Sequence, residues 1–253
     1  MPGPLTVILP VYRCAAALPE LHARLRQTLG AQAELLFIDD ASPDAASAML
    51  LSITTEDEHA AGLTLSQNCG QNTAVMVGLA AARTLPVIIM DADLQDPPEA
   101  IPSLLPVLQG QVHAVFAGRR GAYETRSRLL TSFGFKNLLH LASGRRLPVD
   151  AGLFVALDGA MRTYLLRSWQ ASPYILGMMA RSKFQMRSIP VARAARPERT
   201  SAYTIGMRLR LAARALYIAF NLGPQHAQPP VQISAAYGRR FEHQNYPFFI
   251  PSQ

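Results

Sequence analysis

The sequence predicts an α/β fold: a mostly parallel sheet covered by helices, with a C-terminal amphipathic helical annex. Three observations predict it. Short β-rich runs alternate with helical patterns through residue 117, the rhythm of strand–helix–strand units. Polar groups gather at the C-terminal ends of those runs, where open α/β sheets bind ligands: Asp39 and Asp40, Ser66 and Asn68, Asp91 and Asp93, Arg119 and Arg120. Beyond residue 120 the texture changes to longer amphipathic patterns rich in Arg.

Residues 5–11 (LTVILPV) read as a buried strand, and 16–29 follow with helical spacing until Gly30 stops them. Residues 34–38 (ELLFI) form a second strand ending in Asp39-Asp40. A helix over 43–53 follows, with Ser42, Pro43 and Asp44 as its start signal. Residues 62–65 read as a short third strand and 72–83 as an Ala-rich helix. Residues 86–90 (PVIIM) give a fourth strand running into Asp91-Ala92-Asp93. Residues 98–108 predict a helix with Pro98 in its first turn, a favoured place. Residues 113–117 give a fifth strand ending in Gly118-Arg119-Arg120. Further on, 123–143 predict a long amphipathic helix, 149–157 a strand or turn, 184–191 a strand, and 203–220 a basic amphipathic helix. The tail from Asn221, rich in Pro, Gln and aromatics, shows no period and reads as an irregular arm.

The 253 residues, 49% hydrophobic and 16% charged, suit one globular domain and exclude a disordered polyelectrolyte. No window reaches the ~18 uninterrupted apolar residues of a spanning helix. The N-terminus lacks a basic stretch leading into an apolar one. Cys14 and Cys69 are the two cysteines, too few for a disulfide framework or a zinc site. A cytoplasmic protein is expected. The net charge of +7 hides an asymmetry: residues 1–117 hold 12 acidic and 4 basic residues, and 118–253 hold 5 acidic and 20 basic. Lys136 and Lys183 are the sole lysines. An acidic half suits a metal, while an Arg-rich half suits phosphate oxygens or an anionic membrane. His22, His59, His113 and His140 have no metal spacing, and Trp169 and Met178-Met179 read as core.

Asp91-Ala92-Asp93 carries the sharpest chemistry. Two carboxylates at a strand end can share a hard cation such as Mg²⁺ or Mn²⁺, and that cation turns repulsion from a nucleotide diphosphate into attraction. A lone Asp-x-Asp is commonly a solvated turn; this one follows an apolar strand and continues into Leu94-Gln95-Asp96-Pro97-Pro98-Glu99. Asp39 or Asp40, on the neighbouring strand end, can accept from a base N–H or a ribose hydroxyl.

The order Pro10-Val11-Tyr12, Phe37-Ile38-Asp39-Asp40-Ala41-Ser42, Asn68-Cys69-Gly70, Asp91-Ala92-Asp93-Leu94-Gln95-Asp96-Pro97-Pro98-Glu99 and Gly118-Arg119 resembles the family-two glycosyltransferases. Within them it is most similar to the branch holding dolichol-phosphate mannose synthase and bacterial polyprenyl-phosphate glycosyltransferases. The resemblance implies a GT-A fold, inverting transfer and a divalent metal, Mg²⁺ or Mn²⁺. It implies Asp91, Asp93 and Gln95 at the metal and diphosphate, and Asp39 or Asp40 on the nucleoside. Pro10 and Tyr12 would flank the base, and Arg119 would face the phosphates. Val149-Asp150-Ala151-Gly152-Leu153-Phe154 and Arg196-Pro197-Glu198-Arg199-Thr200-Ser201-Ala202-Tyr203 match two looser family segments. They add Asp150, Arg196, Ser201 and Tyr203 as candidates, with Asp93, Asp150 and Arg119 as the catalytic set. Arg13 replaces a usual Asn, Ala41 a usual Gly and Gln71 a frequent Lys.

On this reading residues 1–220 form the catalytic domain, with a nucleotide-sugar half (1–117) and an acceptor half (118–220), and 221–253 form the arm. The donor is UDP- or GDP-linked. A lipid-phosphate acceptor of the dolichyl or undecaprenyl type needs no strong base, whereas an alcohol does. Asp150 is the one well-placed acid, and the Arg content suits phosphate. Peripheral contact with the inner face of the membrane follows from the 203–220 pattern, where Arg208, Arg210 and Arg214 flank an apolar face. Two alternatives stand beside this: the same chemistry on a soluble acceptor, and a degenerate domain serving as a scaffold. No Gly-x-Gly-x-x-Gly follows the first strand, against a dehydrogenase, and no aromatic-basic motif supports a nucleic-acid partner.

Overall fold

A computed structural model describes residues 4–120, 137, 139–141, 143–192 and 231–241. Among these, eight strands form one sheet in the order β7-β5-β6-β4-β1-β2-β3-β8. The strands are β1 (Thr6–Val11), β2 (Glu34–Asp39), β3 (Ala60–Leu65), β4 (Val87–Ile89), β5 (Val112–Arg120), β6 (Val155–Leu157), β7 (Gln185–Ala192) and β8 (Ile233–Tyr237). β1 pairs in parallel with β2 and β4, β2 with β3, and β5 with β7. β6 runs antiparallel between β4 and β5, and β8 runs antiparallel on the outer edge of β3. The order turns back at β1, which leaves a crevice at the carboxyl ends of β1, β2 and β4.

Both faces of the sheet are covered, so β1 to β4 are buried along nearly their whole length rather than alternating. Ile8, Leu36, Ile38 and Leu63 face a core built with α3 (Gln71–Ala81), α5 (Gly159–Arg167) and α6 (Ile175–Arg181). Val7, Leu9, Leu35 and Phe37 face the opposite core, built with α1 (Leu18–Leu29), α2 (Ala46–Glu56) and α4 (Ile101–Leu104). Gly78 lets α3 approach β1: a Cβ there would lie 2.4 Å from Ile8 Cγ2.

Among the described residues the expected strands and helices are present with four differences, and α5 and α6 are two helices that the spacing does not predict. The helix expected over 98–108 breaks into a 3-10 turn at Pro98–Ala100, the single turn α4, and a second 3-10 turn at Leu105–Val107. Pro102 and Pro106 lack the N–H groups a continuous helix needs. The helix expected from residue 43 begins at Ala46, because Asp44 is committed to the preceding loop. β5 runs on to Arg120, since β7 pairs with it to Ala192. The tail read as irregular contributes β8, and a 3-10 turn follows at Arg239–Phe241. The annex at 203–220 and nearly all of the helix expected over 123–143 lie outside the described residues. Among the described residues no helix is long and apolar enough to cross a membrane.

Candidate active site

Three strand ends build the crevice, and each turns through a non-glycine residue in the left-handed region: Arg13 after β1 (φ 53°), Ala41 after β2 (φ 51°) and Leu94 after β4 (φ 63°). Such conformations cost of order 1–3 kcal/mol each and persist where surrounding bonds enforce them. Here the Arg13 N–H donates to Ser42 Oγ (2.7 Å), the Ser42 hydroxyl donates to Asp44 Oδ1 (2.6 Å), and Asp44 Oδ2 accepts the Ala15 N–H (3.0 Å). The β1 and β2 loops are thereby laced together. Burial alone would raise the Asp44 carboxyl, but these bonds and that from the Ala46 N–H hold it below the usual carboxylate range.

The resulting cleft has a volume of about 390 Å³. Pro10, Tyr12 and Cys14 line it from β1 and its loop, Asp40 from β2, Asn68, Gly70 and Gln71 from the β3–α3 connection, and Asp91 and Asp93 from β4. Tyr12 is 43% exposed, and the Arg13 guanidinium stacks over its ring at 5.3 Å. Burial pushes the Cys14 thiol up to about 11, and the nearby charges of Asp44, Asp93 and Asp39 push the same way. It therefore stays protonated at neutral pH and is no nucleophile.

The two acids ending β2 part company. Asp39 is fully buried and does not line the cleft. Its Oδ1 accepts the Ser42 N–H (2.9 Å), and its Oδ2 accepts the hydroxyls of Ser47 (3.3 Å) and Thr64 (3.2 Å). It organises the turn. Asp40 lines the cleft while its two oxygens accept the N–H groups of Cys69 (2.6 Å) and Gly70 (2.8 Å), and Asn68 Nδ2 reaches its carbonyl (3.3 Å). Burial raises both carboxyls above their ordinary value, against the pull of these bonds.

Asp91 and Asp93 stand on the opposite wall. Gln71 donates its side-chain amide to Asp91 Oδ1. Gln95 donates its backbone N–H to Asp93 Oδ1 (3.2 Å) and its amide to Oδ2 (2.6 Å), so it meets the site through Asp93 and does not itself line the cleft. Asp96, fully buried, lies beneath with Oδ2 3.4 Å from the Asp91 N–H. Two carboxylates on one wall form a hard oxygen donor set that fits Mg²⁺ or Mn²⁺. Among the described residues no group of three or more His, Cys, Asp and Glu forms a cage. A cation here would complete its shell from phosphate oxygens and water, as Mg²⁺ commonly does.

Asp150 sits on the other side of the sheet's turning point. Its Oδ2 accepts the Ser188 hydroxyl from β7 (2.8 Å). It packs over Gly118 of β5, where a Cβ would meet that same oxygen at 2.0 Å. Arg119 pairs with Val191 in the β5–β7 ladder; its side chain, and all of Arg196, Ser201 and Tyr203, lie outside what is described. Gln71 was not among the sequence's candidate residues. Its signals are that it stands where the family resemblance frequently has Lys and that it is the first residue of a helix starting at the rim directly after Gly70.

Comparison with known proteins agrees with this architecture. The model of the glycosyl transferase family 2 matches residues 6–154. An undecaprenyl-phosphate 4-deoxy-4-formamido-L-arabinose transferase of Shewanella sediminis is 34% identical over 143 residues, 55% of this chain and 43% of that protein. The uncharacterized glycosyltransferase YkcC of Bacillus subtilis is 26% identical over 210 residues, 81% of this chain and 65% of that protein. The chain thus spans less than two thirds of either relative. Among solved structures, the mannosyltransferase PcManGT of Pyrobaculum calidifontis, in complex with GDP-Man and Mn²⁺, superposes with a TM-score of 0.59 at 20% identity, covering 88% of this chain and 65% of that one. Glucosyl-3-phosphoglycerate synthase of Mycobacterium tuberculosis, with Mn²⁺, UDP and phosphoglyceric acid, gives 0.64 at 19% identity, covering 85% of this chain and 78% of that one. The fold shared with these structures is GT-A, and the family match, spanning more than half of the sequence, shows that the chain belongs to glycosyl transferase family 2.

Proposed function

We propose that this chain transfers a sugar, with inversion, from a UDP- or GDP-linked donor to a polyprenyl phosphate. The observation that carries the donor half is the single cleft that sets Pro10, Tyr12 and Asp40 opposite Asp91 and Asp93. A nucleoside fits the first wall: an aromatic ring to stack on and polar groups to read it. A diphosphate fits the second, where Asp91 and Asp93 would hold Mg²⁺ or Mn²⁺. That cation would neutralise the departing diphosphate. Mn²⁺ and nucleotide or nucleotide-sugar ligands in two structures of the same fold support this reading.

The acceptor half rests on chemistry and on the Shewanella relative, named for undecaprenyl phosphate. A phosphate monoester is already anionic at neutral pH and attacks without a general base. Asp150, hydrogen-bonded by Ser188 and packed on Gly118, would then orient the acceptor rather than deprotonate it. The Arg-rich 118–253 half and the 203–220 pattern support a lipid-side location at the membrane surface. A soluble acceptor is the second reading, since the same fold is solved with phosphoglyceric acid.

The test is nucleotide release from UDP- and GDP-sugars with Mn²⁺, with and without undecaprenyl phosphate in detergent. Release that needs the lipid phosphate and falls at least ~100-fold in Asp93→Ala is expected. Equal release without lipid phosphate removes the lipid acceptor. Full activity in Asp93→Ala removes the metal site.

A further inference from the structure

Arg13 occupies a backbone position that suits another residue better. Its φ of 53° lies in the left-handed region, which Asn enters far more readily than a long side chain does. The turn is enforced from elsewhere: the Arg13 N–H donates to Ser42 Oγ, and Ser42 and Asp44 carry the link on to the Ala15 N–H. None of these bonds uses the Arg13 side chain, so Asn would serve the turn at lower cost. What arginine adds is the guanidinium. It is exposed; among the described residues it rests on the Tyr12 ring, 5.3 Å from the centroid, and pairs with no carboxylate. The next two arginines, Arg24 and Arg26, are paired with Glu99 and Asp57. Arg13 keeps its cation on an aromatic ring in a half of the chain that holds 12 acidic residues.

We propose that Arg13 is a positioning residue for the nucleoside: its guanidinium holds the Tyr12 ring in the orientation on which the base stacks. The inference rests on the reading that Tyr12 flanks the base. Tyr12 lines the cleft and is 43% exposed, so packing alone leaves its ring several rotamers. A ring that turns must be ordered again whenever a base arrives. Arg13 is not among the residues that line the cleft, so it covers the ring from outside and the cleft side stays open. A cation over an aromatic face is drawn to the ring quadrupole, and a planar guanidinium stacks on it where a carboxamide brings no charge. Neighbouring side chains on a strand point to opposite faces, so a stack between residues 12 and 13 needs the chain to leave the extended form there. The left-handed φ at Arg13 is that departure.

The experiment is calorimetry of UMP, UDP, GMP and GDP at one fixed Mn²⁺ concentration, with a melting curve for each protein. The proteins are the parent, Arg13→Asn, Tyr12→Ala, Tyr12→Phe, and Arg13→Asn combined with each Tyr12 variant. Arg13→Asn weakens the tighter-bound base about 2- to 5-fold, the worth of a cation–π pair at an exposed site, and does so equally for its mono- and diphosphate. Its melting temperature stays at or above the parent's, because Asn takes the left-handed turn more readily. The same loss appears on Tyr12→Phe, which keeps the ring, and vanishes on Tyr12→Ala. Unchanged affinity in Arg13→Asn overturns the inference. So does a loss that persists on Tyr12→Ala or falls on the diphosphate alone, since Arg13 would then act without the ring. Tyr12→Ala by itself separates the two levels. If it weakens binding while Arg13→Asn does not, the positioning role alone is wrong. If it binds nucleotide like the parent, the nucleoside reading of this wall is wrong and this inference with it.

Discussion

Asp39 and Asp40 differ by one position and by everything their oxygens touch. Two of Asp39's three partners are hydroxyls, from Ser47 and Thr64, and a hydroxyl can turn to accept where it formerly donated. Both of Asp40's side-chain partners are backbone N–H groups, which cannot turn. Burial raises both acids, so its relief on conversion to a neutral amide is common to the two and cancels in a comparison. Asp40→Asn sets an NH₂ against an N–H and is expected to be less stable than Asp39→Asn by about 1–2 kcal/mol in urea denaturation. On the proposed function, Asp40→Asn is also expected to weaken nucleotide affinity, measured by calorimetry, because the loop it holds lines the cleft. Equal stability of the two variants would show that the loop relaxes around either amide. The sequence names both acids as candidates but cannot separate them, because Asp40's partners lie about 30 positions away. Asp91 and Asp93 are legible for the opposite reason: an apolar strand, then two acids two positions apart, is a local pattern. Gln71 meets Asp91 only in the folded chain, because the two lie 20 positions apart.

Between elements, a part-buried ionic link away from the cleft joins α1 to the end of α2. Asp57, the C-cap of α2, accepts from Arg26 Nε (2.5 Å), is 2.6 Å from His22 Nε2, and accepts the His59 N–H (3.0 Å). Arg26 also donates to the carbonyls of Gly30 (3.0 Å) and Ala33 (2.7 Å), closing the α1–β2 turn. Burial alone would raise the Asp57 carboxyl, but the bonds from His22 and Arg26 and the Arg26 charge hold it below the usual range. A depressed carboxyl contributes stability that is fully present above its unfolded value, near pH ~4. That contribution is lost as pH falls through the lower folded value. Asp57→Asn should therefore cost about 1–3 kcal/mol near neutral pH, with the gap to the parent narrowing below pH ~4 in urea titrations. A gap independent of pH would mean that packing, not charge, makes the link. These helices were legible from spacing and from Gly30. The apolar spacing over 98–108 predicts one helix, but Pro102 and Pro106 break it into short turns. The spacing predicts neither α5 nor α6, although Asp158 caps α5 by accepting the Met161 N–H (2.8 Å). Both are short, nine and seven residues, and so carry little helical period.

At the scale of the whole molecule, the least legible feature is β8. Ile233–Tyr237 alternates between half-buried and exposed residues, and Ser, Ala and Ala in its centre give no apolar stripe. Its pairing comes from the open edge of β3, which an unpaired sheet presents as a template. Gly62 to Leu65 register with Tyr237 to Ile233, and the Ser66 N–H extends the ladder to the Gln232 carbonyl (2.9 Å). Val231 and Phe241, at the two ends of the described segment, are buried at 3% and 9% exposure. Arg240 reaches past the edge to Glu34 and to the Ala81 carbonyl at the end of α3. Glu34 in turn accepts the Thr6 hydroxyl (2.8 Å), which ties the segment to the first strand of the sheet. A chain ending before residue 231 loses these contacts and bares β3 along its length. Removing that segment should cost on the order of 3 kcal/mol after the entropy it no longer pays is counted, a fall in melting temperature of roughly 6–12 °C for a domain of this size. The bared edge should also promote association, seen as earlier elution in size-exclusion chromatography. Arg240→Ala isolates the ionic link: it should lower the melting temperature by less and leave the chain's elution unchanged, since β8 still covers the edge. A truncated chain that melts and elutes like the parent would mean that the sheet is complete at β3 and that β8 only rests against it.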